Sequence, residues 1–531
     1  MERAELEQNQ LLPTTERTQS TAAVWVQAYA VHGNTLLSKQ LVEQVLAPYK
    51  DKNLSTTEIH QAANALQQAY RAQGLFAARV IIPAQAVSKG TIVLHVYEGL
   101  LANNGVHLVN SQERVDNERL ISYLQNNITQ GEHVLADDFE RVITLIERIP
   151  GISSKATLYP GAEVGTANFL VETFDEPRLD GSVYVNNFGN YYTGEERLGA
   201  NINVNSPTKS GDLLSLDVVS SGSKSNYLLV RYSRPLGGNG ARFGLSADAV
   251  DYKLGKRFAV LDAKGHSSEF RVFASYPFIA SRHENLNFLG DLVHLYSKDS
   301  DNSGLLSKRR LNALQLGISG DHDDEFFAAG VSYYSLSVTY GDLDIAANED
   351  YIDFDNANAQ TSGHFSKINF ELARAQHLGG AFSAYLSLKG QRASENLDAS
   401  QKFYIGGPYS SPGYPVGELS GDDATLVYAD IRYDFNVLYG AQISAFYSYG
   451  EAKLYHNTWP NWQLNNPTLR NKIKLKSLGL GAHINLRDDF SVNLIAGKQV
   501  GSNLGADALT GFDTDESDSD YRFWAQAIYS F

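Results

Sequence analysis

Clustered carboxylates and a histidine–glutamate pair are the side chains of this sequence that could bind a metal ion. The segment DTDESDSD, residues 513–520, has the carboxylate density of a calcium loop. It lacks the central glycine and the glutamate at the twelfth position of an EF-hand loop. His283 and Glu284 are adjacent, but no second histidine follows at the spacing of a helical zinc motif. The sequence therefore predicts a solvent-exposed loop at 513–520 and no metal site.

Other motifs of enzyme chemistry are also missing from the sequence. Residues 237–244, GGNGARFG, lack the Lys-Ser/Thr pair of a phosphate-binding loop, and no Gly-x-Ser-x-Gly elbow is present. The absence of cysteine excludes disulfides and thiolate ligands. We therefore predict no catalytic residue, no cofactor and no enzyme activity. The net charge of -16 argues against a nucleic-acid partner, which requires a basic surface.

Hydropathy alone does not place the chain in or out of a membrane. No apolar run approaches the ~18 residues of a membrane helix, and the mean hydropathy is -0.28. Strands of a membrane barrel escape this measure because only every second residue faces lipid. The first residues show no secretory signal pattern, so we expect a cytosolic start or a mature chain with an added methionine.

Residues 24–176 repeat one order of elements: strand, helix, helix, strand, strand. The first copy is predicted over 24–99, where Ser55 and Glu58 form a capping-box pattern ahead of a helical apolar stripe. The second copy is predicted over 100–176 and ends with the strand pattern TANFLVETF. Such a tandem ahead of a β-rich region is the plan of periplasmic POTRA domains. Two unrelated α+β modules are the alternative.

Residues 177–531 alternate between apolar and polar side chains and show almost no helical periodicity. A soluble core seldom extends over ~350 residues without splitting into domains. A membrane barrel places the apolar face against lipid and the polar face against water. Strands of ~10 residues would give sixteen antiparallel strands at this length. The last strand, YRFWAQAIYSF, places aromatic residues on one face and ends at Phe531. The sequence thus predicts α+β periplasmic domains followed by an all-β transmembrane barrel.

Five segments in the right order resemble the TpsB transporters of two-partner secretion, within the BamA-like superfamily of outer-membrane proteins. They are VHGNTL with GLFAARVIIPAQ and VYEG, IPGI, LYPGAEVGTANFLVE, VNNFGNYYTGEER and SENLDASQKFYIGGPYSSPGYPVGE. The resemblance covers nearly the whole chain. It implies a Gram-negative outer-membrane transporter, similar to hemolysin activators, with its POTRA domains in the periplasm.

The loop of residues 403–418 is the part of the chain to which the resemblance assigns a special role. In TpsB proteins this loop folds back into the barrel, and an arginine at its tip pairs with an aspartate of the inner wall. Here Pro412 stands at the arginine position and Ile495 at the aspartate position, with Asn493 on the same face of its strand. We predict that the loop still enters the lumen, fixed by packing and by tyrosine hydroxyls rather than by an ion pair. The motif residues are Gly406, Gly407, Pro408, Pro412, Gly413, Tyr414 and Pro415.

The amino-terminal segment, residues 1–23, is expected to be a linker or a short plug. Many TpsB proteins carry a helix that plugs the pore. A helix of ~11 residues would span ~17 Å, too little to cross a ~30 Å hydrocarbon core. The plug is therefore truncated or absent.

The expected function is export of a TpsA-like partner protein from the periplasm to the cell surface. The unfolded cargo would dock on the POTRA domains by adding strands to sheet edges and would pass through the barrel. Outer-membrane lipid and the barrel assembly machinery are the other expected partners. A BamA-type assembly factor is the alternative, and it would need a weak seam between the first and last barrel strands. A diffusion porin and an outer-membrane hydrolase are less well supported.

Substitution of the two positions that lack the ion pair tests how the loop is fixed. Pro412→Arg alone should reduce cargo secretion, because it places a charge without a partner in the lumen, and an unpaired buried charge costs ~3–5 kcal/mol. Adding Ile495→Asp should restore part of the secretion. A Pro412→Arg variant that secretes at the wild-type rate would contradict the prediction.

Overall fold

The computed structural model describes residues 23–531 except 88–89, 346–348, 436, 438, 464–468 and 508–509. The linker or plug is predicted for residues 1–23, and residues 1–22 of it lie outside the described part of the chain. Two compact units are present: residues up to 107 with 129–139 and 157–170, and residues 108–128, 140–156 and 171–531. Among the described residues, none of the helices combines the length and the apolar character needed to cross a membrane.

The first repeat has the predicted elements with two differences. It consists of β1 (Val24–Val26), β2 (Ala28–His32), α1 (Lys39–Leu46), β3 (Lys52–Leu54), α2 (Thr56–Arg71), β4 (Arg79–Ile81) and β5 (Thr91–Tyr97). The single strand expected at 24–32 is split at Gln27, because β1 pairs with the additional strand β3 while β2 pairs in parallel with β5. The amides of Gln27 and Ala28 both donate to the carbonyl of Gly90 where the chain changes partner.

The core of the first repeat lies between helix α2 and the sheet β2-β5-β4. Ser55 and Glu58 form the predicted capping box, with the Ser55 amide donating to Glu58 over 2.7 Å. The apolar stripe of α2 is buried as predicted. Its buried members are Ile59, Ala62, Ala63, Leu66 and Tyr70. They share one core cluster with Leu54 of β3 and with Ile92 and Leu94 of β5.

A buried carboxylate fastens the turn after β2 to the end of β5. Glu98 accepts hydrogen bonds from the amides of Thr35 and Leu36 at 2.7 and 2.9 Å, and from the hydroxyls of Thr35 and Tyr70. Burial alone would raise the pKa of Glu98, but the hydrogen bonds from Thr35, Leu36 and Tyr70 outweigh it and lower the pKa. The ionised carboxylate therefore stabilises the folded repeat.

The second repeat confirms the predicted order. It consists of β6 (Leu100–Asn110), α3 (Asn117–Asn127), α4 (Ala136–Glu147), β7 (Ile152–Pro160) and β8 (Thr166–Asp175), with the sheet order β6-β8-β7. Strand β6 begins at Leu100, the first residue of the predicted second copy. The boundaries 24–99, 100–176 and 177–531 stay predictions.

Sixteen antiparallel strands of the described chain form a closed barrel, as predicted. A separate two-stranded sheet, β20 (Phe403–Ile405) and β21 (Leu419–Gly421), follows barrel strand β19 and precedes barrel strand β22 in the chain. The barrel strands are β9 (Leu179–Asn186), β10 (Arg197–Asn205), β11 (Leu213–Ser220), β12 (Ser225–Leu236), β13 (Ala241–Lys253), β14 (Lys264–Ala280), β15 (Glu284–Asp301), β16 (Gly304–Asp324), β17 (Gly330–Ile345), β18 (Gly363–Gly379), β19 (Phe382–Ala393), β22 (Asp423–Phe435), β23 (Ala441–Lys453), β24 (Lys472–Arg487), β25 (Phe490–Gln499) and β26 (Tyr521–Ser530).

The strand lengths and the acidic segments differ from the sequence prediction. Strands span 8 to 21 residues rather than a uniform ~10. The acidic segments 297–304 and 321–326 lie mostly within β15 and β16 rather than between strands, because charged side chains are tolerated where strands extend beyond the membrane. The acidic segment at 349–357 forms a helix, α5 (Glu349–Ala357), that the strand pattern did not indicate.

The apolar face of the barrel strands points outward. Leu386, Leu480 and Phe523 are 54%, 64% and 72% exposed, although each belongs to an alternating apolar set. Exposed apolar side chains around a closed sheet are what a lipid-facing surface requires. The predicted division into an apolar outer face and a polar inner face is confirmed for these strands.

Replacement of Glu98 by glutamine should destabilise the first repeat by about 1–3 kcal/mol, because buried donors lose a charged acceptor. The pKa of Glu98 is lowered on folding, so its stabilisation is present above the unfolded pKa and is lost as the pH falls through the folded value. Urea unfolding of residues 23–176, followed by the fluorescence of Trp25, measures both effects.

The matched control is Glu43→Gln on the exposed face of α1, where a change below about 0.5 kcal/mol is expected. Equal losses for the two variants would contradict the role assigned to Glu98.

Candidate functional site: the loop inside the barrel

The loop of residues 403–418 rises from a hairpin of two short strands. Phe403 pairs with Gly421 and Ile405 with Leu419 in the β20–β21 sheet. Gly406 and Gly407 follow with φ values of 121° and 89°, which favour glycine. A Cβ atom at Gly406 would lie 2.2 Å from the carbonyl oxygen of Pro415. The two glycines therefore allow the chain to turn back on itself.

The tip of the loop is buried against apolar side chains of the inner wall. Tyr414 is fully buried, and Pro408, Pro412, Gly413 and Pro415 are buried as well. The wall residues around Tyr414 come from three neighbouring strands and from the hairpin. They are Ala424, Leu426, Ala452, Ile473, Leu475, Ile405 and Leu419.

Uncharged hydrogen bonds fix the tip at the arginine position of the TpsB motif. The indole N–H of Trp524 donates to the carbonyl oxygen of Pro412 over 2.8 Å. The hydroxyl of Ser411 lies 2.9 Å from that of Ser448 and 3.2 Å from that of Ser477. Ser448 and Ser477 are 2.8 Å apart, so the three hydroxyls form one buried cluster.

Close backbone approach brings the tip against strand β25. A Cβ atom at Gly497 would lie 2.4 Å from the carbonyl carbon of Pro412. A Cβ atom at Gly413 would lie 2.8 Å from the carbonyl carbon of Lys498. Glycine at both positions removes the side chains that would otherwise hold the loop away from the wall.

The predicted wall residues face the lumen, but the loop touches the wall beyond them. Ile495 stands opposite Trp524 in the register of β25 and β26. Asn493 is hydrogen-bonded to His483 at 2.6 Å and to Gln526 at 3.3 Å. The tyrosine hydroxyl of the tip has a different partner, since the Tyr414 hydroxyl accepts from the Lys476 amide at 3.5 Å. The reason is that the tip of the loop lies against Gly497, two residues further along β25 than Ile495.

Tyr409 is the one tyrosine of the loop tip that does not pack against the inner wall. Its side chain is 75% exposed, and its ring centroid lies 5.5 Å from that of Phe188. Phe188 is itself buried and lies edge-on to Trp524. Tyr409 thus covers the aromatic contact at the tip rather than filling the wall.

A buried carboxyl group joins the loop to the chain between β25 and β26. Glu418 accepts from the Thr514 amide at 3.0 Å and from the Thr514 hydroxyl at 2.6 Å, and it also bonds Asn503. Burial raises the pKa of Glu418 to about 7, and the charge of Asp513 acts in the same direction. The segment 513–520 is a loop, as predicted, but it is not solvent-exposed throughout: Asp513 and Asp515 are buried because they pair with Arg522.

Ion pairs inside the barrel involve two carboxylates of the segment 513–520 and other residues for which the sequence analysis assigned no role. Arg522 contacts Asp513 and Asp515, Lys402 lies 2.7 Å from Asp422, and Arg309 lies 2.9 Å from Asp398. The described residues contain no group of three or more His, Asp or Glu side chains placed to hold a metal ion.

A shift in the alternation of apolar and polar residues within one strand could have predicted the apolar part of the inner wall from the sequence. In β24, Ile473 and Leu475 are buried inside the barrel, whereas Leu478 and Leu480 are exposed outside it. The apolar positions therefore shift from odd to even numbers within one strand. Such a shift indicates that the upper part of the strand faces something apolar inside the barrel, which here is the loop.

The seam between the first and last strands is short. Strands β9 and β26 share five registered pairs, compared with eight between β9 and β10 and nine between β25 and β26. The Asn187 side chain extends the seam by donating to the Phe523 carbonyl at 2.9 Å and accepting from the Ala525 amide at 2.8 Å. The Asn187 side-chain amide thus makes the two hydrogen bonds that the backbone of one further strand residue would make.

Comparison with known proteins identifies the family. Residues 24–99 match the "POTRA domain, ShlB-type", and residues 165–462 match "Haemolysin secretion/activation protein ShlB/FhaC/HecB". The chain belongs to the ShlB/FhaC/HecB family. The heme/hemopexin transporter protein HuxB of Haemophilus influenzae (strain 86-028NP) is 29% identical over 92% of this chain and 83% of its own length.

Two solved structures share the fold. CdiB from Escherichia coli matches with a TM-score of 0.71 at 16% identity, covering 98% of this chain and 93% of that one. BamA from Haemophilus ducreyi lacking POTRA domains 1–3 matches with a TM-score of 0.56 at 12% identity, covering 96% and 100%. Membership of the family makes the protein an outer-membrane transporter of two-partner secretion, with its POTRA domains in the periplasm.

A cysteine pair should report the position of the loop tip. The chain has no cysteine, so Ser411→Cys with Ser448→Cys introduces a single possible intramolecular disulfide. The two hydroxyl oxygens are 2.9 Å apart, and oxidation should therefore crosslink the pair in the purified, folded protein. Mobility of the denatured chain in a non-reducing gel measures the crosslink.

The control pair is Ser411→Cys with Asn493→Cys, because the structure places the tip at Gly497 and Asn493 beside His483. Equal crosslinking of both pairs would show a mobile tip and would contradict the fixed position.

Proposed function

We propose that unfolded cargo docks on the periplasmic repeats before it enters the barrel, and that the barrel is the conduit. The family exports partner proteins of the TpsA type, and this chain carries both parts of such a machine. Docking uses the open edges of the two small sheets, β2 and β4 in the first and β6 and β7 in the second. An incoming extended segment satisfies the free backbone groups of such an edge.

A surface depression in the first compact unit supports this docking mode. It is lined by edge strand β4, by the end of β7 and by the segment that follows β7, including Arg79, Ile81, Tyr159 and Val164. Ile81 and Val164 are 43% and 78% exposed. Apolar side chains beside an unpaired strand edge suit an extended segment with alternating apolar residues.

Passage of cargo requires the loop inside the barrel to move. Its anchors are an indole–carbonyl bond, a serine cluster and the packing of Tyr414, none of which is an ion pair. Each neutral hydrogen bond contributes only about 1 kcal/mol net. The residues Gly406 to Pro415, with the wall around them, therefore form a releasable obstruction.

The remaining parts of the proposal concern partners and domains. The protein acts without catalytic activity or a bound cofactor. It contacts outer-membrane lipid and is inserted by the barrel assembly machinery. Its domains are the segment 1–23, the POTRA domains 24–99 and 100–176, and the barrel 177–531.

A BamA-type assembly factor is the second candidate because of the short seam. An assembly factor needs a seam that opens, and five registered pairs between β9 and β26 meet that condition in part. The match to the ShlB/FhaC/HecB family favours the transporter, since the BamA likeness rests on fold alone.

Deletion of residues 24–176 should abolish cargo secretion while a heat-modifiable barrel remains in the outer membrane. The reason is that the barrel loses its docking edges but keeps all sixteen strands. Surface display of the cargo and the gel mobility of heated and unheated barrel are the two measurements. Secretion that survives the deletion would refute the docking role.

Point variants separate docking from a general loss of the domains. Ile81→Lys with Val164→Lys should reduce secretion, because charges then line the depression. Leu36→Lys with Ile121→Lys is the matched control, since both side chains are exposed, at 45% and 39%, and neither lines the depression or lies in an edge strand.

A further inference from the structure

A group of cations lies on the outer surface of the barrel near its extracellular end. The basic patch, as we call it, consists of Lys264, His266, Lys298, Lys308 and Arg310. These residues belong to β14, β15 and β16, close to the extracellular ends of the strands. The chain as a whole carries a net charge of -16, so the patch opposes the overall charge.

Strand register places the patch in one continuous row. His266 stands opposite Lys298, and Lys298 stands opposite Lys308. Arg310 stands opposite Tyr296 one step nearer the membrane. Like charges directly opposite each other on one face of a sheet are destabilising. The pair Lys298–Lys308 is therefore a position where a bound anion would stabilise the protein.

The patch faces outward because its residues share parity with the lipid-facing set. Phe270, Leu292 and Leu314 lie on the same faces of the same three strands and are 47%, 58% and 43% exposed. Lys298 is six residues from Leu292, or about 20 Å along a tilted strand. The cations thus stand above the apolar surface, at the level expected for lipid headgroups.

Nearby carboxylates neutralise only part of the patch. Asp251 lies 2.8 Å from His266, and Asp262 contacts Lys264 and Lys253. Asp344 stands opposite Arg310 in the register. Within the part of the chain that the structure describes, Lys298, Lys308 and Arg310 take part in no ion pair, and Lys308 lies 5.7 Å from the ring of Tyr296.

We propose that the basic patch binds the phosphorylated headgroup of a lipid of the outer leaflet. A surface depression provides the space for a phosphate group, and its charged lining residues are Lys224, Lys253, Lys264, His266, Lys298 and one carboxylate, Asp251, which pairs with His266. The acyl chains of the lipid would lie on Phe270, Leu292 and Leu314, which continue the apolar surface below the cations. Charge and apolar surface together fit an amphiphile with an anionic head. This site is separate from cargo docking.

The test compares lipids that differ only in phosphate. The purified full chain in detergent is titrated with a bisphosphorylated glucosamine-disaccharide lipid, with the same lipid after removal of its phosphates, and with inorganic phosphate. Native mass spectrometry measures the bound fraction. The phosphorylated lipid should bind, and Lys298→Gln with Lys308→Gln should weaken its binding roughly thirtyfold. Lys298→Arg with Lys308→Arg should bind as the wild type does.

The matched control removes two outward lysines that already have a carboxylate partner. Lys472 and Lys474 lie 2.7 and 3.6 Å from Glu451 on the other side of the barrel. Lys472→Gln with Lys474→Gln changes the net charge equally and should leave lipid binding within about twofold of wild type. The proposal is overturned by equal losses in the two double variants, by wild-type binding in the Lys298/Lys308 variant, or by equal binding of the dephosphorylated lipid.

Discussion

Closure of the sheet between β9 and β26 is the interaction on which the rest of the structure depends. A hydrocarbon core offers no partner to a free N–H or C=O group, so a spanning sheet is stable there only without an edge. Five registered pairs, two backbone bonds between Gly181 and Phe531, and the Asn187 side chain complete the seam. Once the sheet is closed, every strand must divide its side chains between lipid and lumen. The outward apolar set and the inward polar set follow from that division.

The division reverses in the extracellular part of several strands, and this reversal has two consequences. In β24, Ile473 and Leu475 point inward while Lys472 and Lys474 point outward. The inward apolar residues form the wall on which Tyr414 is buried. The outward cations stand where the strands leave the hydrocarbon region, and on β14–β16 they form the basic patch. A single phase shift therefore serves the loop on one face of the sheet and the membrane interface on the other.

The loop is held by neutral contacts at the place where the TpsB resemblance implies an ion pair. A buried ion pair resists separation because each charge left alone is costly, by about 3–5 kcal/mol. An indole–carbonyl bond and a serine cluster break in small steps instead. Glu418 adds a titratable joint to this arrangement. Its pKa is raised to about 7, so its stabilising effect is present at low pH and is lost as the pH rises through that value.

The sequence by itself determined the two α+β repeats, the sixteen alternating strands and the loop as the unusual segment, because these features depend on local periodicity and turn chemistry. Ser55 and Glu58 cap a helix, and Gly406 and Gly407 allow a turn, through contacts and backbone freedom that depend only on residues nearby in the chain. Only the tertiary structure decided that the tip rests on Gly497 beside Trp524 and not on Asn493, and that β14–β17 extend beyond the expected length. These outcomes depend on the register between strands far apart in the chain and on the closure of the barrel. A one-dimensional pattern gives the parity of a side chain, but it does not give its neighbour across the lumen.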